Sequence, residues 1–354
     1  MTRPLWFLVD RRDPGTLRDW LANEGRAVAG SVAVLTYQEL LRRPVVAAGV
    51  CVFCDFDCLT SALRPIVREA WVQLESAGVR LLNDPRRALD RRQLLERLAS
   101  LGRNDFRAFP VDGVPADVRF PVFVRRQSEH DGPQTSLLHD RESLCEAIQG
   151  LTWPFGPHRR ADLLVVEFCN TSVDGGPHSK YAATRVGERL LNRHIMFSNH
   201  WSVKHSGVLI DAEMMALERR YLASNPYREW VLETFELAGV DYGRLDFGIC
   251  DGRPQAFEIN TNPTMGPRPG TDPEGLALER ARQGSRWTFH QRFYAEARHA
   301  LRALARSRPV RRVELRFAPM ASTRYRLERL RHFGSAAWRL GWSATLRHRR
   351  PASR

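Results

Sequence analysis

Apolar positions along this chain alternate between short runs and helical repeats. The runs "LWFLVD" (residues 5–10), "VAVLT" (32–36), "GVCVFCDF" (49–56) and "VRLLND" (79–84) predict strands. Between them, "DPGTLRDWLANEG" opens a helix with a Pro near its start, and "SALRPIVREAWVQLESAG" repeats apolar residues at helical spacing up to a Gly stop. Strands alternating with helices imply a parallel sheet covered on both faces. In "NDPRRALDRRQLLERLASLG", Asn83 or Asp84 is expected to cap a helix that Pro85 begins.

The order then changes. "RFPVFVRR" (119–126) predicts a strand ending in two arginines, "SLCEAIQGL" a short helix, and "ADLLVVEFCN" a strand with Glu167 near its end. "KYAATRVGERLLNRHIMFS" predicts a hairpin around Gly187-Glu188, and residues 214–238 read as helical. A Pro/Gly-rich loop follows Pro263, and "WTFHQRFYAEARHALRALA" carries Phe289, Phe293, Ala297, Leu301 and Leu304 on one helical stripe. The fold class is therefore α/β and α+β: an N-terminal parallel-sheet unit, a small α+β unit, a second sheet unit and a helical basic tail.

The segment "RLDFGICDGRPQAFEINTNP" (244–263) is a hairpin with turn chemistry at Asp251-Gly252. Leu245, Phe247 and Ile249 alternate with Asp246, Gly248 and Cys250; on the return, Phe257 and Ile259 alternate with Glu258 and Asn260. A two-residue loop would pair 246 with 257 and send Asp246 to the face opposite Glu258. An odd-numbered loop, with Gly252 left-handed, would bury Leu245, Phe247, Phe257 and Ile259 together, so the odd loop is expected. It leaves Arg244, Asp246, Glu258 and Asn260 on the other face. Two carboxylates and a carboxamide on one rigid face repel unless a positive charge lies among them. Oxygen donors without His or Cys suit a hard cation such as Mg²⁺, which takes its remaining ligands from water and phosphates and so points to a nucleoside triphosphate. A solvated sheet face with a structural Asn is the other reading.

Charge changes the picture in one place. From Arg298 to Arg354 there are 16 Arg and 2 Glu, which equals the whole net charge of +14 and leaves the first 297 residues near neutral. Of 54 basic residues only Lys180 and Lys204 are lysine. A compact ammonium grips a phosphate as a point charge, though chance placement explains the pair as well. The tail segment "RYRLERLRHFGSAAWRLGW" mixes arginines with Phe333, Trp338 and Trp342. It suits an acidic surface, membrane or nucleic acid, and equally a solvated appendage or an oligomer contact. Cys51, Cys54 and Cys58 lie close in sequence, but strand residues three apart face opposite sides and no second pair completes four ligands, so small buried hydrophobes are expected. No apolar run approaches the ~20 residues of a membrane span, and the opening apolar core is too brief for a secretory signal, so a cytoplasmic protein is expected. Neither G-x-G-x-x-G after a strand nor a Walker-type loop occurs.

With these residues quoted, "YGRLDFGICDGRPQAFEINTNPTMG" resembles the closing hairpin of the ATP-grasp superfamily of carboxylate ligases, of the D-alanine–D-alanine ligase and glutathione synthetase type: G-R-x-D on one strand and E-x-N-[TS]-x-P after the turn. The resemblance covers residues 1 to about 266 in segment order. It implies an N-terminal α/β unit over 1–85, a lid over 86–185, a metal and nucleotide unit over 186–268, and an Arg-rich extension over 269–354. It further implies that Asp246, Glu258 and Asn260 hold one or two Mg²⁺ ions, and that Arg244 stabilises the tetrahedral centre formed on an acyl carbon. Arg125 stands where the family's lid strand ends in a phosphate-gripping lysine, with Arg126 beside it. Glu167 and the following backbone correspond to the adenine-facing hinge. Lys180, Arg193 and Lys204 fall where ribose- and phosphate-facing groups are placed. One departure is the lid loop "RRQSEHDGPQTS", which has a single glycine, Gly132, and adds His130. The implied activity is ATP- and Mg-dependent ligation of a small carboxylate to an amine or thiol; the alternative is a Mg-ATP-binding module without turnover.

Overall fold

In the computed structural model, residues 3–130, 132–152, 160–172, 175–204, 209–266 and 284–317 are described, with Thr323 and Tyr325. Four strands, β1 (Leu5–Val9), β2 (Val32–Thr36), β4 (Val50–Phe53) and β5 (Arg80–Leu82), form a parallel sheet in the order β2-β1-β4-β5. Helices α1 (Gly15–Ala22), α2 (Tyr37–Arg42) and α3 (Leu63–Ser76) connect them. The strands are almost wholly apolar because both faces are covered. Cys51 and Cys54 are buried among these apolar side chains, as expected of small hydrophobes, whereas Cys58 is half-buried and donates to the Ser128 carbonyl. Gly78 (φ 76°) closes α3 as a left-handed stop.

The helix expected from Pro85 starts later. In α4 (Arg91–Ser100), Asp90 caps through a reciprocal pair: its carboxylate accepts from the Gln93 N–H, and the Gln93 side chain accepts from the Asp90 N–H. Asn83, left-handed at φ 64°, has different work. Its amide nitrogen donates to the carbonyls of Phe53 and Tyr242, and its oxygen accepts from the N–H of Asp241 and of Tyr242. One buried side chain thus staples the parallel sheet to the start of the carboxylate hairpin.

A three-stranded antiparallel sheet, β6 (Ala108–Pro110), β8 (Leu163–Glu167) and β7 (Val122–Arg126), packs with α5 (Arg141–Thr152) as a small unit with its own apolar cluster. The third sheet is antiparallel, in the order β10-β9-β11-β12, from β9 (His178–Val186), β10 (Arg189–Ser198), β11 (Tyr242–Cys250) and β12 (Arg253–Asn260). Strand β9 straddles the expected boundary at 185. The continuous helix read over 214–238 is two helices, α6 (Ala212–Ala223) and α7 (Arg228–Leu237), separated around Pro226. Both lie with α4 against the sheet's apolar face, around Leu245, Phe247, Ala256 and Ile259.

The amphipathic helix α8 (Trp287–Arg306) buries Phe293, Ala297, Leu301 and Leu304 as its periodicity requires. Its apolar stripe joins one core with the parallel sheet and with Val186, Leu191 and Tyr242 of the third sheet. The chain then adds a strand that its sequence pattern does not announce: β13 (Arg311–Glu314) pairs antiparallel with β3 (Val45–Ala48). Apart from Thr323 and Tyr325, the tail segment 319–354 assigned to an acidic surface lies outside the described residues. Among the described residues no helix is long and apolar enough to cross a membrane.

Candidate functional site

The hairpin's register is built differently from the expectation. Cys250 pairs with Arg253, so the loop has two residues, and both Asp251 (φ 48°) and Gly252 (φ 74°) are left-handed, as a type I′ turn requires. An even loop alone would turn Asp246 away from Glu258. A β-bulge corrects it: Phe247 pairs with Ala256, Asp246 pairs with Glu258, and Phe257 is left unpaired. The odd residue is therefore in the strand and not in the loop. Phe257 consequently leaves the core that Leu245, Phe247 and Ile259 share. It is half-buried on the charged side, 6.1 Å from Phe106 and against Gly248. A Cβ on Gly248 would lie 2.7 Å from the Phe257 ring and 2.4 Å from Thr171 Cγ2, so glycine is what admits the bulged ring.

On that side the two carboxylates face one another across neighbouring strands. Asp246 is 2 % exposed. Arg244 Nε donates to it at 2.7 Å, and Lys180 Nζ at 3.2 Å. Lys180 stands two residues from Ala182, the β9 partner of Asp246, so strand period alone delivers it. Burial opposes ionisation of Asp246, but Arg244 and Lys180 hold its carboxyl below the usual range. Glu258 takes its cations from elsewhere. Arg91, at the first turn of α4, and Arg125, on β7, both donate to its Oε2, the latter at 2.9 Å, and His130 Nδ1 is 3.7 Å away. Burial again opposes ionisation, and Arg91 and Arg125, then His130, hold Glu258 well below the usual range. Burial and then Arg91 push the Arg125 guanidinium down to about 10 against the pull of Glu258, which leaves it charged at neutral pH. Asn260 Oδ1 accepts from the Asn262 N–H at 2.8 Å.

The structure brings Lys180, Arg244, Asp246, Glu258 and Arg125 together and spreads the remaining candidates around them. Lys204 borders the same cleft, its Nζ donating to the His130 carbonyl at 2.9 Å. Its stem crosses Gly132 (φ 102°), where a Cβ would lie 2.4 Å from Lys204 Cε. Arg126 turns toward Gln134, Glu129 and Asp162. The Glu167 carboxylate is held by Arg107 and Arg119, both through their N–H groups and their guanidinium groups. Its backbone, with Phe168 and Cys169, borders the cleft. Arg193 lies at a bulge in β10 beneath α8, 4.4 Å over the Phe293 ring and 2.7 Å from His290 Nδ1. Its neighbour His194 is buried, and burial, then Arg193, Arg244, Arg286 and Lys180, keeps that imidazole neutral.

The cleft runs from the carboxylate pair to an aromatic end. Phe123, Phe168, Trp201 and Phe257 line it with Leu95 and Val166. Phe123 and Phe168 pack against Trp201 at 5.0 and 5.9 Å. This wall and Arg91 escaped the sequence reading. The aromatics come from distant elements; Arg91 is one arginine among many.

Among the described residues no group of three His, Cys, Asp or Glu side chains is arranged as a metal site. The donor set of Asp246, Glu258 and Asn260 is nonetheless all oxygen and suits a hard cation. Charge sharpens the test. Arg91, Arg125, Lys180 and Arg244 already neutralise the two carboxylates, with positive charge in excess. A bare divalent ion meets repulsion here, whereas one carrying a triphosphate, net charge about −2, meets attraction. The residues fit the metal as part of a nucleotide complex.

The small sheet unit and the carboxylate-bearing antiparallel sheet therefore enclose one cleft, to which the first turns of α4 add Leu95. No protein-family model and no curated protein matches the chain. Among solved structures, the chain is similar to D-alanine–D-alanine ligase from Bacillus anthracis complexed with ATP, with 15% identity, a TM-score of 0.44, and coverage of 85% of this chain and 99% of that one. It is similar to L-amino acid ligase from Bacillus licheniformis, at 12% identity, TM-score 0.45, and coverage of 88% and 78%. It is also similar to the ATP-grasp ligase PsnB complexed with a minimal precursor, at 11% identity, TM-score 0.45, and coverage of 74% and 91%. Likenesses of this size carry no argument about chemistry, which rests on this chain's own residues.

Proposed function

We propose that the protein is an ATP-dependent ligase that activates a small carboxylate as an acyl phosphate and joins it to an amine or thiol. The observation that carries this reading is the pairing of Asp246 with Glu258 on neighbouring strands, ringed by Lys180, Arg125, Arg91 and Arg244, at the polar end of an aromatic cleft. The aromatic end suits a purine base, with the Glu167–Cys169 backbone at its edge. The cationic end suits its phosphates. Asp246, Glu258 and Asn260 would hold Mg²⁺, which when bound neutralises charge on the β- and γ-phosphates.

In this reading a substrate carboxylate oxygen attacks the γ-phosphorus and ADP leaves. The amine or thiol then attacks the acyl carbon, phosphate departs, and the nucleophile's proton passes to solvent. Arg125, Lys180 and Lys204 keep the phosphates in line by charge, and Arg244 faces the negative charge that develops on the acyl oxygen. Arg193, buried under α8 against His290 and Phe293, does not line the cleft and is given no contact with the nucleotide. The chain's segment 127–130, over Glu258, limits water that would hydrolyse the acyl phosphate.

The test is a thermal shift with ATP, with and without Mg²⁺, followed by phosphate release across a panel of acids with amines and thiols. Stabilisation by ATP, larger with Mg²⁺, and release that needs both reactants are expected. ATP that leaves the melting temperature unchanged under both conditions overturns the reading.

A further inference from the structure

Glu258 sits at the meeting point of three units, and Arg91 is what joins them. The Arg91 side chain is completely buried. Besides the Glu258 carboxylate, its guanidinium donates to the carbonyls of Arg126 at 2.9 Å, Gln127 at 2.7 Å and Glu129 at 2.9 Å, and lies 3.0 Å from His130 Nδ1. Its own N–H is fixed by Asp57 at 2.8 Å. The fork thus ties three carbonyls, at the end of β7 and in the loop beyond it, to one carboxylate of the hairpin, while the Ser128 carbonyl between them accepts from Cys58 Sγ. Arg125, immediately before that loop, donates to the same oxygen, and Lys204 holds the His130 carbonyl from the other side.

We propose that Arg91 is a positioning residue that latches segment 126–130 down over the cleft, and that the negative charge of Glu258 is what sets the latch. A buried guanidinium that spends its donors on loop carbonyls needs a compensating anion. Glu258 is that anion, and the segment has the single nearby glycine Gly132 rather than a glycine-rich loop that could grip by its own amides. The guanidinium groups of Arg91 and Arg125 both engage Oε2 of that carboxylate, so one oxygen holds the loop and the other stays compatible with the cation-holding role proposed for Glu258.

The latch needs no nucleotide, so it is tested separately from the ligase reading, by amide hydrogen exchange on the full chain with chelator present. With Glu258→Gln, amides of 126–130 are expected to exchange at least about tenfold faster, the size expected on losing charge-assisted hydrogen bonds, while β11 stays protected. Arg91→Lys, which keeps the charge but not the planar fork, is expected to accelerate the same amides by less. Asp246→Asn, on the facing strand, is expected to leave them unchanged. Unaltered exchange at 126–130 in Glu258→Gln overturns the proposal. So does equal acceleration in Asp246→Asn, or loss of protection throughout β11, which would make the charge a requirement of the sheet and not of the loop.

Discussion

Asp246 and Glu258 are chemically alike, lie opposite each other and are both buried, yet they are neutralised in different ways. Asp246 is served by its own sheet: Arg244 is two residues along the same strand and Lys180 is on the next one. Glu258 is served by Arg91 from α4 and Arg125 from β7, in other parts of the fold. The first arrangement is as rigid as the strand register. The second holds only while separate units stay together. A carboxylate pair of this kind gives the site one fixed half and one half that reports where the loop is.

The comparison breaks most completely if the register is lost. One alanine inserted between Phe257 and Glu258 sets the insert opposite Asp246 and swings Glu258 and Asn260 to the apolar face. The expected cost exceeds about 5 kcal/mol, enough to abolish a cooperative thermal transition. A native-like melt of the insertion variant would show that the sheet absorbs the extra residue without losing its register.

Next in size is Asp246→Asn, which leaves Arg244 and Lys180 without their anion. Under the proposed function, phosphate release is expected to fall at least about a thousandfold. Turnover within tenfold of the parent protein would remove Asp246 from the machinery.

A third carboxylate sharpens the contrast. Asp55, left-handed at φ 61°, is buried where β4 ends, with the carboxylates of Asp10 and Asp13 acting on it as like charges. Burial, then those like charges, pushes it up to about 7, against the hydrogen bond from the Asp10 N–H. Its folded pKa lies above the unfolded value of about 3.9, so the folded state holds the extra proton and loses stability as pH rises from about 4 to 7. Asp55→Asn is expected to flatten that slope and to be the more stable form by about 2–4 kcal/mol above it. Parallel melting-temperature curves for the two proteins would contradict this. Asp246 and Glu258, held low by their cations, act oppositely and cost stability only as the solution turns acid.

The smallest effect is steric. Gly248→Ala forces the Phe257 ring and Thr171 aside and is expected to cost about 1–3 kcal/mol by thermal denaturation. No change in melting would mean the ring has room.

The sequence made some of this visible and hid the rest for definable reasons. Period two along the strands placed Arg244, Asp246, Glu258 and Asn260 on one face, because alternation is a property of the backbone itself. The apolar side chains alone suggested that the extra residue belonged in the turn. It is in β12 because Gly248 leaves space for Phe257 on the polar side, a tertiary fact with no local signature. Asp251-Gly252 carries turn chemistry and forms a two-residue turn, where an odd-numbered loop is the expectation from the apolar face. Arg91 was illegible for a different reason: it meets Glu258 across 167 residues and is one of 52 arginines. Its neighbour Asp90 reads as a cap only once the helix start is known. Strands β3 and β13 are short and pair across most of the chain, so periodicity could not announce either.

That last pairing has a practical side. Arg311–Glu314 closes the outer edge of β3, and Leu315 beyond it is buried with the parallel sheet's core. A chain shortened to end at Ser307 would keep every group of the cleft and would bare a row of backbone donors and acceptors beside Val46 and Ala48, an adhesive surface that favours self-association over function.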